Sequence, residues 1–272
     1  MKTLILFNLI LISSFNFFGS TDLDLGDVAF VDYQSDDSDR FTFVIFQDVD
    51  ATTTLTFNEN GWFATGGFRT GEGTLTWTSG VAILAGTLIE IIGVDGDFSA
   101  STGTVIETGA FSLSIAGDQI LVYQGTVPVA GDESNFITGI QMNSAWDADA
   151  INPNTSAQPS VLVDGINSIS ISPEIDNVQY DFEFNTGTVD QLRSAIFDQS
   201  NFVRSNDSQS PVLGTENLTV VLAGPLPVTL SYFRVDQGKN GSIILEWETT
   251  FEENNSHFEI LRSIDSLSLI HI

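Results

Sequence analysis

Short runs in which apolar and polar residues alternate recur along this chain, each closed by glycine, aspartate or asparagine. In TLTWTS, residues 74–79, Leu75 and Trp77 fall on one face and Thr74, Thr76 and Thr78 on the other. Successive side chains of a strand leave opposite faces, so this two-residue period predicts a strand with one buried side. TTLTF (53–57), FSLSIAG (111–117) and SISISP (168–173) repeat it: Phe111, Leu113 and Ile115 oppose Ser112 and Ser114, and Ile169 and Ile171 alternate with serines. VAFVDY (28–33), GTLIEIIGV (86–94), DQILVYQG (118–125) and NLTVVLAG (217–224) extend the series. FTFVIFQDV (41–49) is apolar on both faces, as expected of a central strand covered on both sides. Turn signals recur about every 8–15 residues, the spacing of a sandwich. The expected fold class is all-β, an immunoglobulin-like or related two-sheet sandwich.

One segment breaks the rhythm. In NTGTVDQLRSAIFDQSNFVRSN (185–206), Thr188 and Gln191 form a capping-box pattern, and Val189, Leu192, Ile196 and Phe197 then follow at helical spacing. This predicts one short helix over about 188–200. A boundary is expected at AGPLPVTL (223–230), where Pro225 and Pro227 interrupt strand patterning and a new alternation begins. The organisation read from sequence is a signal peptide at 1–20, a β-sandwich domain at 21–223, a linker at 224–230 and a partial second sandwich at 231–272.

At the N-terminus, Lys2 precedes an apolar run over residues 4–12 broken only by Asn8. This is the outline of a secretory signal peptide, and it implies the export machinery as a partner. The run is shorter than the roughly 20 apolar residues that a spanning helix needs, so membrane insertion is not expected. The expected location is secreted or on the outer cell surface.

The chain of 272 residues carries 36 Asp and Glu against 8 Lys and Arg, a formal charge of -28. Such a surface repels phosphate backbones and excludes nucleic acid as a partner. There is no Cys, and the only histidines are His257 and His271. Residues 21–223 therefore contain no His, Cys or Lys. That removes Ser-His-Asp and Cys-His nucleophiles, Schiff-base lysines and zinc sites of the usual ligand types.

What remains is carboxylate, hydroxyl, aromatic and arginine chemistry. Asp36, Asp37 and Asp39 share one short turn and are candidate ligands for calcium, which takes several converging oxygens. Asp95 with Asp97, and Asp147 with Asp149, form similar but smaller clusters. Trp62 and Trp146 lie in polar, loop-like contexts and are candidates for stacking on a ligand, whereas Trp77 belongs to an apolar face and reads as core. Arg69, beside Glu72 in GFRTGEG, either ties down its own loop or receives an anion or sugar. A two-carboxylate glycosidase would draw on acids such as Glu72, Glu90 and Glu183.

Two resemblances bear on these readings. LPVTLSYFRV followed by SIILEWETTFEENNSHFEILRS resembles the opening of a fibronectin-III-like module of secreted Bacteroidota proteins, which commonly precedes a type IX secretion sorting domain. The match rests on Leu226, Pro227, Val228, Trp247, Asn254, Asn255, Phe258, Glu259, Arg262 and Ser263. It implies that residues 231–272 begin such a module and leave it incomplete. GDVAFVDYQSDDSDRFTFVIFQDV, NENGWFATGGFRTGEGTLTWTSG, FSLSIAGDQILVYQG and TVDQLRSAIFDQSNFVRS resemble another secreted bacterial module, and more distantly lamin-tail immunoglobulin-like sandwiches. The function this implies is a non-catalytic secreted or surface module for adhesion, binding or spacing, with an extracellular glycan or protein as ligand. The alternative is an accessory or catalytic part of a secreted polysaccharide-active hydrolase.

Overall fold

The structure, a computed structural model, describes residues 20–36, 38–94, 96–206, 217–221, 229–237, 243–251, 261–265 and 268–271. The expected signal peptide lies outside them apart from Ser20. The chain divides into two units, residues 1–221 and 222–272.

The strands of the first unit are β1 (Val28–Gln34), β2 (Arg40–Ile45), β3 (Thr54–Asn58), β4 (Thr74–Thr78), β5 (Leu88–Val94), β6 (Asp97–Ala100), β7 (Thr104–Thr108), β8 (Gln119–Tyr123), β9 (Phe136–Gln141), β10 (Ile169–Ser170), β11 (Asn177–Tyr180), β12 (Thr186–Gly187), β13 (Phe202–Ser205) and β14 (Thr219–Val220). They build a two-sheet, all-β sandwich. One six-stranded sheet runs β13-β11-β1-β2-β5-β6, and the other runs β10-β9-β8-β3-β4-β7. All neighbours are antiparallel except β10 and β9. β12 and β14 form a separate small parallel pair, so Thr219 and Val220 of NLTVVLAG join neither main sheet.

Phenylalanines fill the space between the sheets. Phe41 and Phe43, two apart on β2, each bring a ring centroid to 4.9 Å from Phe57 of β3. Phe30 of β1 adds an edge contact to Phe57 at 6.2 Å, and Phe43 meets Trp77 of β4 at 5.4 Å and 84°. The Trp77 indole N–H donates to the Thr102 carbonyl at 2.8 Å, so the large side chain is buried without orphaning its polar atom. A register shift between Phe30 and Asp32 marks a bulge in β1. It changes the parity of the strand, so that Phe30 and Tyr33, three apart, are both fully buried.

Both sheets also have a covered outer face. On the first, helix α1 (Val189–Ile196) buries Leu192 and Ile196, with Phe197 following. Thr188 caps it and Gln191 closes the capping box, as the sequence predicts. The expected helix to about 200 is shorter: a single 3-10 turn at Gln199–Asn201 follows, and the chain then re-enters the sheet as β13. Arg193 pairs with Asp27 and lies over the Phe46 ring at 5.7 Å, fastening the helix to the start of β1. On the second sheet, Leu121, Tyr123 and Phe136 point outward into a satellite core completed by Trp62 and Leu162. This explains why every residue of β8 and β9 is buried.

The second unit contains β15 (Thr229–Gln237), β16 (Ile243–Phe251), β17 (Leu261–Asp265) and β18 (Ser268–His271), paired as two antiparallel hairpins. In β16, Leu245 and Trp247 are half-buried, whereas Glu246 and Glu248 are exposed, the alternation expected from LEWET. Tyr232, Phe233, Val235 and Ile244 remain 46%, 58%, 56% and 47% exposed. Phe258 and Ile260 repeat the same apolar alternation in the sequence, and both lie outside the described residues.

Two outcomes are expected. Phe57→Ala removes the ring shared by Phe30, Phe41 and Phe43 and should cost about 3–5 kcal/mol in denaturant unfolding. A chain ended at Val221 should unfold in a single cooperative transition near that of the 272-residue protein, as followed by circular dichroism. Loss of that transition would make residues beyond 221 part of the first fold.

Candidate functional site

Where strand β7 hands over to β8, residues 111–114 have no regular secondary structure and join neither sheet. FSLSIAG is therefore not the strand its alternation predicts. Phe111 and Leu113 are buried as expected, but Ile115 is 64% exposed. The reason is the fate of the backbone donors. Four successive N–H groups are accepted by four carboxylates: Phe111 by Glu107 at 2.8 Å, Ser112 by Glu59 at 2.7 Å, Leu113 by Asp39 at 3.0 Å and Ser114 by Asp118 at 3.2 Å. Side chains have replaced a neighbouring strand as the acceptors that a buried backbone requires.

The acids come from separate places. Glu59 follows β3 and uses its other oxygen to accept the Gly73 N–H at 2.8 Å. Only glycine fits at 73, because an added Cβ would lie 2.2 Å from the Phe111 nitrogen. Asp118 precedes β8 and also accepts the backbone and side-chain N–H groups of Gln119 at 2.9 and 2.8 Å. Gln119 in turn donates to the carbonyls of Glu59 and Pro153. Tyr33 is fully buried, and its hydroxyl has no hydrogen-bond partner.

Burial dominates the electrostatics here. It raises the Glu59 carboxyl to about 9, against the pull of the Gly73 and Ser112 N–H groups, with the negative charges of Asp118 and Glu72 adding to the rise. Burial likewise raises Asp118 to about 8 and Glu72 to about 6, the latter opposed by the Arg69 charge. Asp39 is raised by burial too, and the Leu113 N–H and the Ser112 hydroxyl lower it in part. Tyr33 is pushed well above its ordinary value by burial and by the carboxylates of Asp118, Asp39, Glu59 and Asp176. On the outer side of the first sheet, Asp32 is raised to about 6 by burial, although Arg40 lies 3.0 Å away and opposes the shift.

The residues singled out from sequence are placed elsewhere or used differently. Asp36 accepts from the Asn177 side chain at 2.6 Å, and Asp39 serves Leu113; Asp37 lies outside the described residues. Among the described residues, no group of three or more His, Cys, Asp or Glu is arranged to hold a metal ion. Trp62, expected as a stacking platform, is instead 2% exposed, wedged edge-on against Phe68 at 5.0 Å and Phe136 at 5.1 Å. It is an anchor for its loop, because the satellite core beneath that loop needs a large apolar plug. Trp146 is half-buried against the same cluster and covers Gly139, where an added Cβ would come within 3.1 Å of its ring. Arg69 donates to the Ala150 carbonyl at 3.0 Å and faces Glu72, which ties two loops together. Glu90 lies on β5 at 3.7 Å from Arg40, and Glu183 lies in the turn after β11. With Glu72 in the loop before β4, the three acids occupy separate elements.

The sequence reading overlooked Glu59 and Asp118. Each sits next to a tight turn, in NENGW and AGDQ, and looks like an ordinary solvated acid. The available signal was negative: FSLSIAG has alternation but needs an edge partner, and acids flank the neighbouring turns.

No family model, no curated protein and no solved structure matches this chain.

The raised acids set a direction for pH dependence. The folded state holds the Glu59 and Asp118 protons more tightly than the unfolded chain does. Their contribution to stability is complete below the ordinary carboxylate pKa, and it is lost as pH rises toward about 8 and 9. The melting temperature should therefore fall between roughly pH 5 and pH 9, and Glu59→Gln should flatten the fall, by calorimetry. Trp62→Ala should destabilise the fold by about 3–5 kcal/mol in chemical denaturation, as loss of a buried plug demands.

Proposed function

We propose that residues 21–223 form a non-catalytic module, exported to the outside of the cell, which serves adhesion, binding or spacing within a larger extracellular protein. The observation that carries this reading is how the perturbed acids are used. Carboxyl groups with shifted affinity for protons are the usual mark of a catalytic site. Here both oxygens of Glu59 and both of Asp118 accept N–H groups of the protein itself, and Asp39 serves the backbone as well. Groups committed to backbone acceptance are not free to exchange protons with a substrate. Arg69 and Trp62, the sequence candidates for sugar contact, are likewise engaged in holding loops.

Export is supported by Lys2 and the apolar run at 4–12. The likeness to immunoglobulin-type and fibronectin-III-type modules of secreted Bacteroidota proteins belongs to the same proposal. An extracellular glycan or protein is the ligand class it implies.

Two measurements test it. Mass spectrometry of the protein from its native cell should find a new N-terminus between about residues 16 and 22 in the extracellular or surface fraction. The purified protein should leave a panel of polysaccharides uncut. Release of reducing ends that Glu59→Gln or Asp118→Asn abolishes, in a variant with native circular dichroism, would make it a hydrolase instead.

A further inference from the structure

We propose that residues 111–114 form a proton-governed strap, closed over the core at neutral and acidic pH and opened under alkaline conditions. The inference stands on geometry and is independent of any ligand the module takes. The strap has no strand neighbour, and its four N–H groups rest wholly on Glu107, Glu59, Asp39 and Asp118. Those acids arrive from β7, from the loop after β3, from the loop before β2 and from the residue before β8. Glu72 and Tyr33 face the same cluster, with Asp176 near Tyr33, and among the described residues Arg69 brings a positive charge to Glu72.

Glu59 and Asp118 are buried and act on each other electrostatically, and the partly buried Asp39 and Glu72 act on Asp118, an arrangement with a definite electrostatic consequence. If all ionise, like charges repel in a medium that screens them poorly, and the charged forms are poorly solvated. If protons neutralise some of them, the strap keeps its acceptors and the repulsion disappears. The upward shifts of Glu59, Asp118 and Asp39 agree in direction. The strap also borders solvent. Asp39, Phe111 and Ser112 line a surface groove with Ser38, Gly93 and Phe98. Raising the pH ionises the cluster, and water entering along that groove solvates the charges as the strap lifts Phe111 and Leu113 away from the core.

The test uses the absence of native cysteine. In Leu113→Cys, the rate of thiol modification is measured from about pH 6 to about pH 9.5 and divided by the rate for an unstructured cysteine peptide at the same pH, which removes the titration of the thiol itself. The ratio should climb by about tenfold or more over this range, the change that one pKa unit allows. It should stay flat when Glu59→Gln and Asp118→Asn are added, and in the exposed control Ile115→Cys. Hydrogen exchange of peptides covering 111–114 in the unsubstituted protein, scaled to intrinsic rates, gives the same readout if Leu113→Cys does not fold. A flat ratio in the parent overturns the proposal, as does a rise that persists in the amide variants. So does a rise that merely tracks global unfolding by tryptophan fluorescence. Abolition of the rise by millimolar calcium would assign neutralisation to a cation, and also overturns it.

Discussion

Contact between phenylalanine rings across the two sheets is the interaction on which the rest of this structure depends. Phe57 of β3 receives Phe41 and Phe43 of β2 at 4.9 Å each, and Phe30 closes the group from β1. A sheet cannot bury one face alone, so this packing decides how the strands are layered. It also determines what the ends of the sandwich must do. Once the centre is filled by rings, the linking segments run along the open edges, and their backbone donors need acceptors. At one edge those acceptors are carboxylates.

The layered architecture was legible because it is written in a period of two. Leu75 and Trp77 of β4, and Phe41 and Phe43 of β2, are buried on alternate positions. The capping box of Thr188 and Gln191 was equally plain, because its hydrogen bonds are local. Elements defined by distant partners were not. β9, FITGIQ, contains Gly139, which weakens the strand signal and leaves room for Leu121 and Trp146 against the backbone. β11 and β13 are four residues each, and β13 follows directly on the segment read as helical. FSLSIAG misled in the opposite sense: the alternation was real, but side chains rather than a strand took its hydrogen bonds.

The candidate site was hardly legible at all. With 36 acids in the chain, residue type carries little information, and what distinguishes Glu59 and Asp118 is burial at 1% and 2% exposure. Tryptophan and arginine stand out in a sequence, so Trp62, Trp146 and Arg69 drew notice first. Their singularity reflects structural need instead. A large plug and a long fork are side chains well suited to securing irregular loops.

The order of strands in the first sheet has a kinetic meaning. β1 pairs with β2 within a few residues, yet its other neighbour is β11, where Asp32 meets Gln179. Arg193 then returns to Asp27, 166 positions earlier. As the chain is made from its N-terminus, β1 stays half-paired until residues near 180 exist, and the helix clamp comes later still. Contacts so far apart in sequence make folding slow. A ribosome-bound chain would thus keep β1 without its second neighbour until nearly the whole sandwich had emerged.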